Sequence, residues 1–208
     1  FGSIGCINLN PFAKSNQVQG HRNNISIYTQ GKTYIRLEEV QSTKGAARTF
    51  LDHPKFLDKD LLSNALASIY YKDKGITGLG KEQNVFLEGE LLNLAPHIAD
   101  AFTKASPSHY ILVNSNFSIG KSLFKSEVYT VFGLFITNNK LNVVFSRIQY
   151  EDLENRGKEN MFGETEEEVF VDPFTITKNP FWVISPRSGQ TFRSGHENWL
   201  IIDLADET

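Results

Sequence analysis

The stretch that most limits what this chain can become runs from Glu127 to Tyr150. Two long runs rich in β-branched and aromatic residues, Glu127 to Thr137 and Leu141 to Tyr150, meet at the polar pair Asn138-Asn139. Asparagine accepts the left-handed backbone of a two-residue turn, so the pattern predicts a long antiparallel hairpin. Just before it, Tyr110-Ile111-Leu112-Val113 is a short apolar run bounded by turn residues. Such a run suits a central strand covered on both faces.

Two segments carry helical periodicity instead. Leu61, Leu62, Ala65, Leu66, Ile69 and Tyr70 recur at three- and four-residue spacing and predict an amphipathic helix over Lys59 to Lys72, with Asp58 as N-cap. Leu91, Leu92, Ala95, Ile98, Ala99 and Phe102 predict a second, ended by Ser106-Pro107-Ser108. Pro96 lies inside that pattern. An interior proline costs about 3 kcal/mol outside the first turn, so the helix is expected to start near Leu94 or Ala95, or to kink.

The remaining β-prone runs are short: Ile25 to Tyr28 and Thr33 to Val40 around a turn at Gln30-Gly31-Lys32, then Val169 to Val171, Thr175-Ile176, Phe181 to Ile184 and Trp199 to Leu204. Ile76 to Gly80 reads as a turn before the brief apolar segment Val85-Phe86-Leu87. The apolar residues are biased towards 16 Phe and 7 Tyr against one Met, which favours a sheet-rich core. The fold class expected is α+β, a mainly antiparallel sheet with two amphipathic helices packed on one face. One domain is expected over 25–205, with a polar loop at about 151–168 and a flexible tether over 1–24, where Asn, Gln, Ser and Gly dominate.

Composition narrows the chemistry. A net charge of −3 supplies no overall attraction to phosphate, and no basic patch compensates, so no nucleic acid partner is expected. A single cysteine makes neither an internal disulfide nor a thiolate metal site. The five histidines are scattered; His97 and His109 approach each other if helix and strand pack, but no third ligand joins them. No metal and no cofactor are therefore expected. Gly120-Lys121-Ser122 invites a phosphate-loop reading and fails it: position 115 is Ser115 where the first glycine belongs, and a strand follows where a helix is needed. No GxSxG elbow occurs, and no nucleophile, base and acid assemble, so the expectation is a protein that is not an enzyme.

The most site-like segment is Pro186 to Gly195, where Arg187 and Arg193 interleave with Phe192 between Trp182 and Trp199. Arginine among aromatics suits contact with carboxylates, glycans or a protein partner, and Arg187, Phe192, Arg193 and Trp199 are the candidate partner-binding residues. The competing reading has these arginines closing the loop on Glu197 or Asp203.

Near the start, Ser3-Ile4-Gly5-Cys6 resembles the lipobox of bacterial lipoproteins, with Ser3 where that pattern usually has leucine. The run Ala95-Pro96-His97 through Ala105 and Pro107, then a strand and a long hairpin, is similar to small envelope lipoproteins of proteobacteria over the middle third of the chain. The resemblance implies lipidation at Cys6, attachment to the outer membrane on its periplasmic side, and other envelope proteins as partners. It also suggests a non-catalytic place in an envelope-spanning assembly, such as the outer-membrane complex of a type IV secretion system of the Dot/Icm kind. The alternatives are an unmodified Cys6 thiol and a binding module for a small ligand, lipid or glycan held between the helices and the aromatic sheet.

Overall fold

The computed structural model describes residues 24–40, 50–75, 78–119, 126–151 and 172–204. In chain order these form β1 (Asn24–Gln30), β2 (Thr33–Glu39), α1 (Lys59–Ala67), β3 (Tyr70–Gly75), β4 (Gly78–Asn84), α2 (Glu88–Lys104), β5 (His109–Ile119), β6 (Ser126–Thr137) and β7 (Lys140–Tyr150). A 3-10 turn at Pro173–Thr175 precedes β8 (Trp182–Ser185), β9 (Gln190–Phe192) and β10 (Trp199–Asp203).

Seven strands make one antiparallel sheet in the order β1-β2-β5-β6-β7-β10-β9, and a smaller sheet has the order β4-β3-β8. The hairpin of β6 and β7 sits at the centre of the large sheet. Its turn residues Asn138 and Asn139 have φ of 51° and 58°, the left-handed pair that a tight hairpin needs.

Side-chain alternation gives the large sheet two buried faces. Ile111 and Val113 of β5, Phe132 and Leu134 of β6 and Val143 and Phe145 of β7 share one core with Leu94, Ile98 and Phe102 of α2. Tyr110, Leu112, Phe135, Val144 and Trp199 face the other way and pack with Leu51 and Phe174. Aromatic rings fill this second layer edge to face, with Phe135 and Phe174 at 5.5 and 5.6 Å from Trp199 and Tyr110 at 4.8 Å from Phe174.

The architecture is sheet-dominant α+β. Two helices laid on one face would give them too large a share: α2 makes the broad contact with β5, β2 and β1, whereas α1 packs mainly on α2. Helix α2 starts at Glu88, well before the expected Leu94 or Ala95, because Glu90 caps its first turn by accepting the Leu87 N–H at 3.2 Å. Pro96 is tolerated because it lies on the exposed side, where the unpaired carbonyl meets water.

Helix α1 stops at Ala67, short of the expected Lys72. Ile69 and Tyr70 match the helical spacing, but Tyr70 instead opens β3, facing Asn84 and Ser185 across the ladder. Aromatic and β-branched residues fit that strand better than a last helical turn. Gly78 to Gly80, expected as a turn, begins β4, and Thr175-Ile176 lies at the end of a 3-10 turn and not in a strand. Gln190 to Phe192, expected as loop, pairs with Ile202 to Leu200 of β10. The segment 1–23 with Cys6, Gly120-Lys121-Ser122, residues 152–168 of the polar loop, and Val169 to Val171 lie outside the described residues.

Candidate functional site

At the β9 end of the large sheet the chain turns tightly between β9 and β10. The Arg193 N–H donates to the Trp199 carbonyl at 3.0 Å, and the His196 N–H donates to the Arg193 carbonyl at 3.0 Å. Gly195, at φ 78°, supplies the left-handed residue that this turn requires. The geometry holds the Arg193 guanidinium 4.2 Å above the centroid of the Trp199 ring. Trp199 is fully buried and fixed in plane, since its Nε1–H donates to Asn142 Oδ1 at 3.0 Å. The His196 ring stands edge-on to the same indole, 5.3 Å between centroids.

These groups border an open pocket of about 360 Å³ lined by Thr177, Lys178, Phe192, Arg193, His196 and Glu197, among others. Burial pushes the Arg193 guanidinium below its ordinary range. Burial, then the neighbouring Arg193 charge, lowers His196 and keeps it neutral at neutral pH. His196 is buried, and its Nδ1 has no hydrogen-bond partner. Glu197 is engaged by Lys74 at 3.8 Å, and its backbone N–H donates to the Thr177 carbonyl at 2.6 Å.

Three of the four residues expected to bind a partner therefore come together: Phe192, Arg193 and Trp199. Trp199 reaches solvent chemistry only through the guanidinium above it, because its own ring is buried. Arg187 is elsewhere. Its guanidinium pairs with Glu82 of β4 and lies 4.3 Å over the Tyr70 ring, tying together the small sheet. Neither arginine pairs with the acids named from sequence, since Glu197 meets Lys74 and Asp203 meets Lys140 at 2.7 Å. His196 and Lys178 had no distinguishing sequence signal, and the 197-to-177 backbone bond that assembles them is non-local.

Other polar groups have structural work. His97 stacks on Tyr28 of β1 at 3.8 Å, whereas His109 Nδ1 lies 2.5 Å from Ser106 Oγ. That serine–histidine contact closes the four-residue link from α2 to β5, and no carboxylate among the described residues is hydrogen-bonded to His109 to orient it as a base. His53 is buried, its Nε2 accepting the Ile136 N–H at 3.0 Å. Among the described residues no three His, Cys, Asp or Glu side chains converge as a metal site. Comparison with protein-family models, with curated proteins and with solved structures finds no significant match, so site and fold are read from their own residues.

Proposed function

We propose that the protein is a non-catalytic lipoprotein of the bacterial cell envelope, anchored at the periplasmic side of the outer membrane through Cys6. It acts by contact with neighbouring envelope proteins, as a structural component of a larger assembly of the secretion-system kind. The observation that carries the contact reading is the surface beside β9. There Phe192 is 36% exposed next to a half-buried Arg193 that has no acidic partner among the described residues. Exposed aromatics flanked by arginine are the residue types that dominate protein contacts. The address rests on the Ser3-Ile4-Gly5-Cys6 pattern.

The alternative, a small ligand, lipid or glycan held between helices and sheet, is less well supported. That space is occupied by Leu94, Ile98 and Phe102 against Ile111, Val113 and Phe132, each nearly or wholly buried.

Expression in a diderm bacterial host tests the reading. The wild type should incorporate labelled palmitate and fractionate with membranes, and Cys6→Ser should lose both. A photo-crosslinker placed at Phe192 should capture one discrete envelope protein, whereas the same group at exposed Leu92 should not. An unlabelled protein in the cytoplasm, with no cross-link from Phe192, overturns the proposal.

A further inference from the structure

The Arg193 pocket is built around a charge that has no counter-ion among the described residues. Among the described residues no carboxylate lies in ion-pair range of Arg193, and its guanidinium lies 4.2 Å over the Trp199 ring. Partly withdrawing a guanidinium from water without a counter-charge is unfavourable, so a carboxylate arriving at this site gains an attraction that the described residues do not already satisfy. Lys178 adds a second cation at the rim and also makes no ion pair among the described residues. The pocket's own acid, Glu197, has Lys74 as its ion-pair partner at 3.8 Å. Buried His196 closes the inner wall of the pocket, its ring edge-on to the same indole.

Beside the pocket runs β9, the last strand of the large sheet among the described residues. A terminal strand presents its outer backbone edge to an incoming extended chain. Thr191 and Phe192 are exposed along that strand and lead directly into Arg193. A chain added beside β9 therefore lies next to the residue that leads into Arg193.

We propose that this pocket receives the carboxylate of an Asp or Glu carried on an extended segment of a partner polypeptide that pairs with the β9 edge. The planar guanidinium takes the carboxylate through paired N–H donors, Lys178 adds a point charge, and Phe192 packs against the residue next to the acid. This rests on the contact reading given above and names the chemistry of that contact.

The full chain, titrated with a short β-prone peptide blocked at both ends and bearing one central Glu, tests it by NMR on the Arg193 Nε–Hε and Trp199 indole resonances. The Glu peptide should bind at least about tenfold more tightly than its Gln counterpart, the difference expected when a charged hydrogen-bonded pair is completed. Arg193→Gln should abolish that preference, and Arg187→Gln should keep it. Equal binding of the two peptides, or no binding, overturns the inference without any variant being made. So does sodium sulfate perturbing the same resonances more strongly than the Glu peptide, which marks a small-anion site. A retained cross-link from Phe192 in the face of those results leaves the contact reading standing, so the two failures are distinguishable.

Discussion

Ser115 of β5 donates a 2.5 Å hydrogen bond to Glu90 Oε1 in the first turn of α2, and both residues are buried. The other carboxylate oxygen accepts the Leu87 N–H, so one side chain both caps the helix and joins it to the sheet. Burial pushes the Glu90 carboxyl above its ordinary 4.5, with the Ser115 and Leu87 bonds opposing the shift. The folded protein thus holds this proton more tightly than the unfolded chain. Its contribution to stability falls as pH rises from about 4.5 through the raised value. Ser115→Ala, which removes a buried hydrogen-bond partner of the carboxyl, should destabilise by about 1–3 kcal/mol at neutral pH. Glu90→Gln can accept from Leu87 and donate to Ser115, so it should be at least as stable as the wild type at neutral pH. Urea unfolding across pH reads both, and a Glu90→Gln variant with undiminished pH dependence in that window contradicts the assignment.

His53 acts with the opposite sign. Its Nε2 must stay unprotonated to accept the Ile136 N–H, and burial lowers its pKa from 6.5 to about 4, against a smaller opposing pull from Asp52. The unfolded chain takes up a proton first as pH falls, so this stability is present above about 6.5 and is lost on descending towards 4. The full swing is of the order of 3 kcal/mol. His53→Gln retains an acceptor for Ile136 but cannot titrate. Its unfolding free energy should therefore vary less with pH between 4 and 6.5 than that of the wild type. Equal slopes for the two proteins in that interval would show that another group dominates there.

What the sequence makes legible is what local chemistry decides. Asn138-Asn139 specifies its turn, and Tyr110 to Val113 its doubly covered strand, because period-two patterning and turn geometry are short-range. Pro96 misleads because its cost depends on which side of α2 meets water, a tertiary matter. Tyr70 misleads because helical spacing and strand propensity coincide there until β3 finds β4 and β8. The pairing of Arg193 with Trp199 was legible as an arginine among aromatics. Lys178 and His196 were not, since the bond from Glu197 to Thr177 joins two non-periodic stretches on either side of β8 and β9.

Gly133 of β6 lies under the 3-10 turn with little room for a side chain. A Cβ there would sit 3.2 and 3.3 Å from the Phe174 ring and 3.4 Å from Pro173 Cγ. Gly133→Ala should lower stability by about 1–3 kcal/mol, because the packed ring of Phe174 is hemmed in by Tyr110 and Trp199 and cannot simply withdraw. Combining it with Phe174→Leu should cost less than the sum of the two single changes. Thermal unfolding of the four proteins in the cycle provides the measurement, and strict additivity would mean that the ring is not the obstacle.

The hairpin turn separates backbone strain from side-chain contact. Asn138 and Asn139 share nearly the same positive φ, yet only Asn139 is tied down: its N–H donates to Asp52 Oδ2 at 3.2 Å, and its Oδ1 accepts from Lys55 Nζ at 2.9 Å. The Asn138 side chain makes no hydrogen bond among the described residues. Asn138→Ala should therefore cost about 1 kcal/mol, the penalty of a Cβ in the left-handed region without asparagine's local compensation. Asn138→Gly removes that penalty and should match or slightly exceed wild-type stability. Asn139→Gly relieves the same backbone but releases Lys55, an exposed contact worth no more than about 1 kcal/mol. It should fall below Asn138→Gly for that reason alone. Lys55→Met in the Asn138→Gly background should bring the two to the same denaturation midpoint. A gap that persists after the lysine is removed would assign the difference between the two positions to the turn backbone itself.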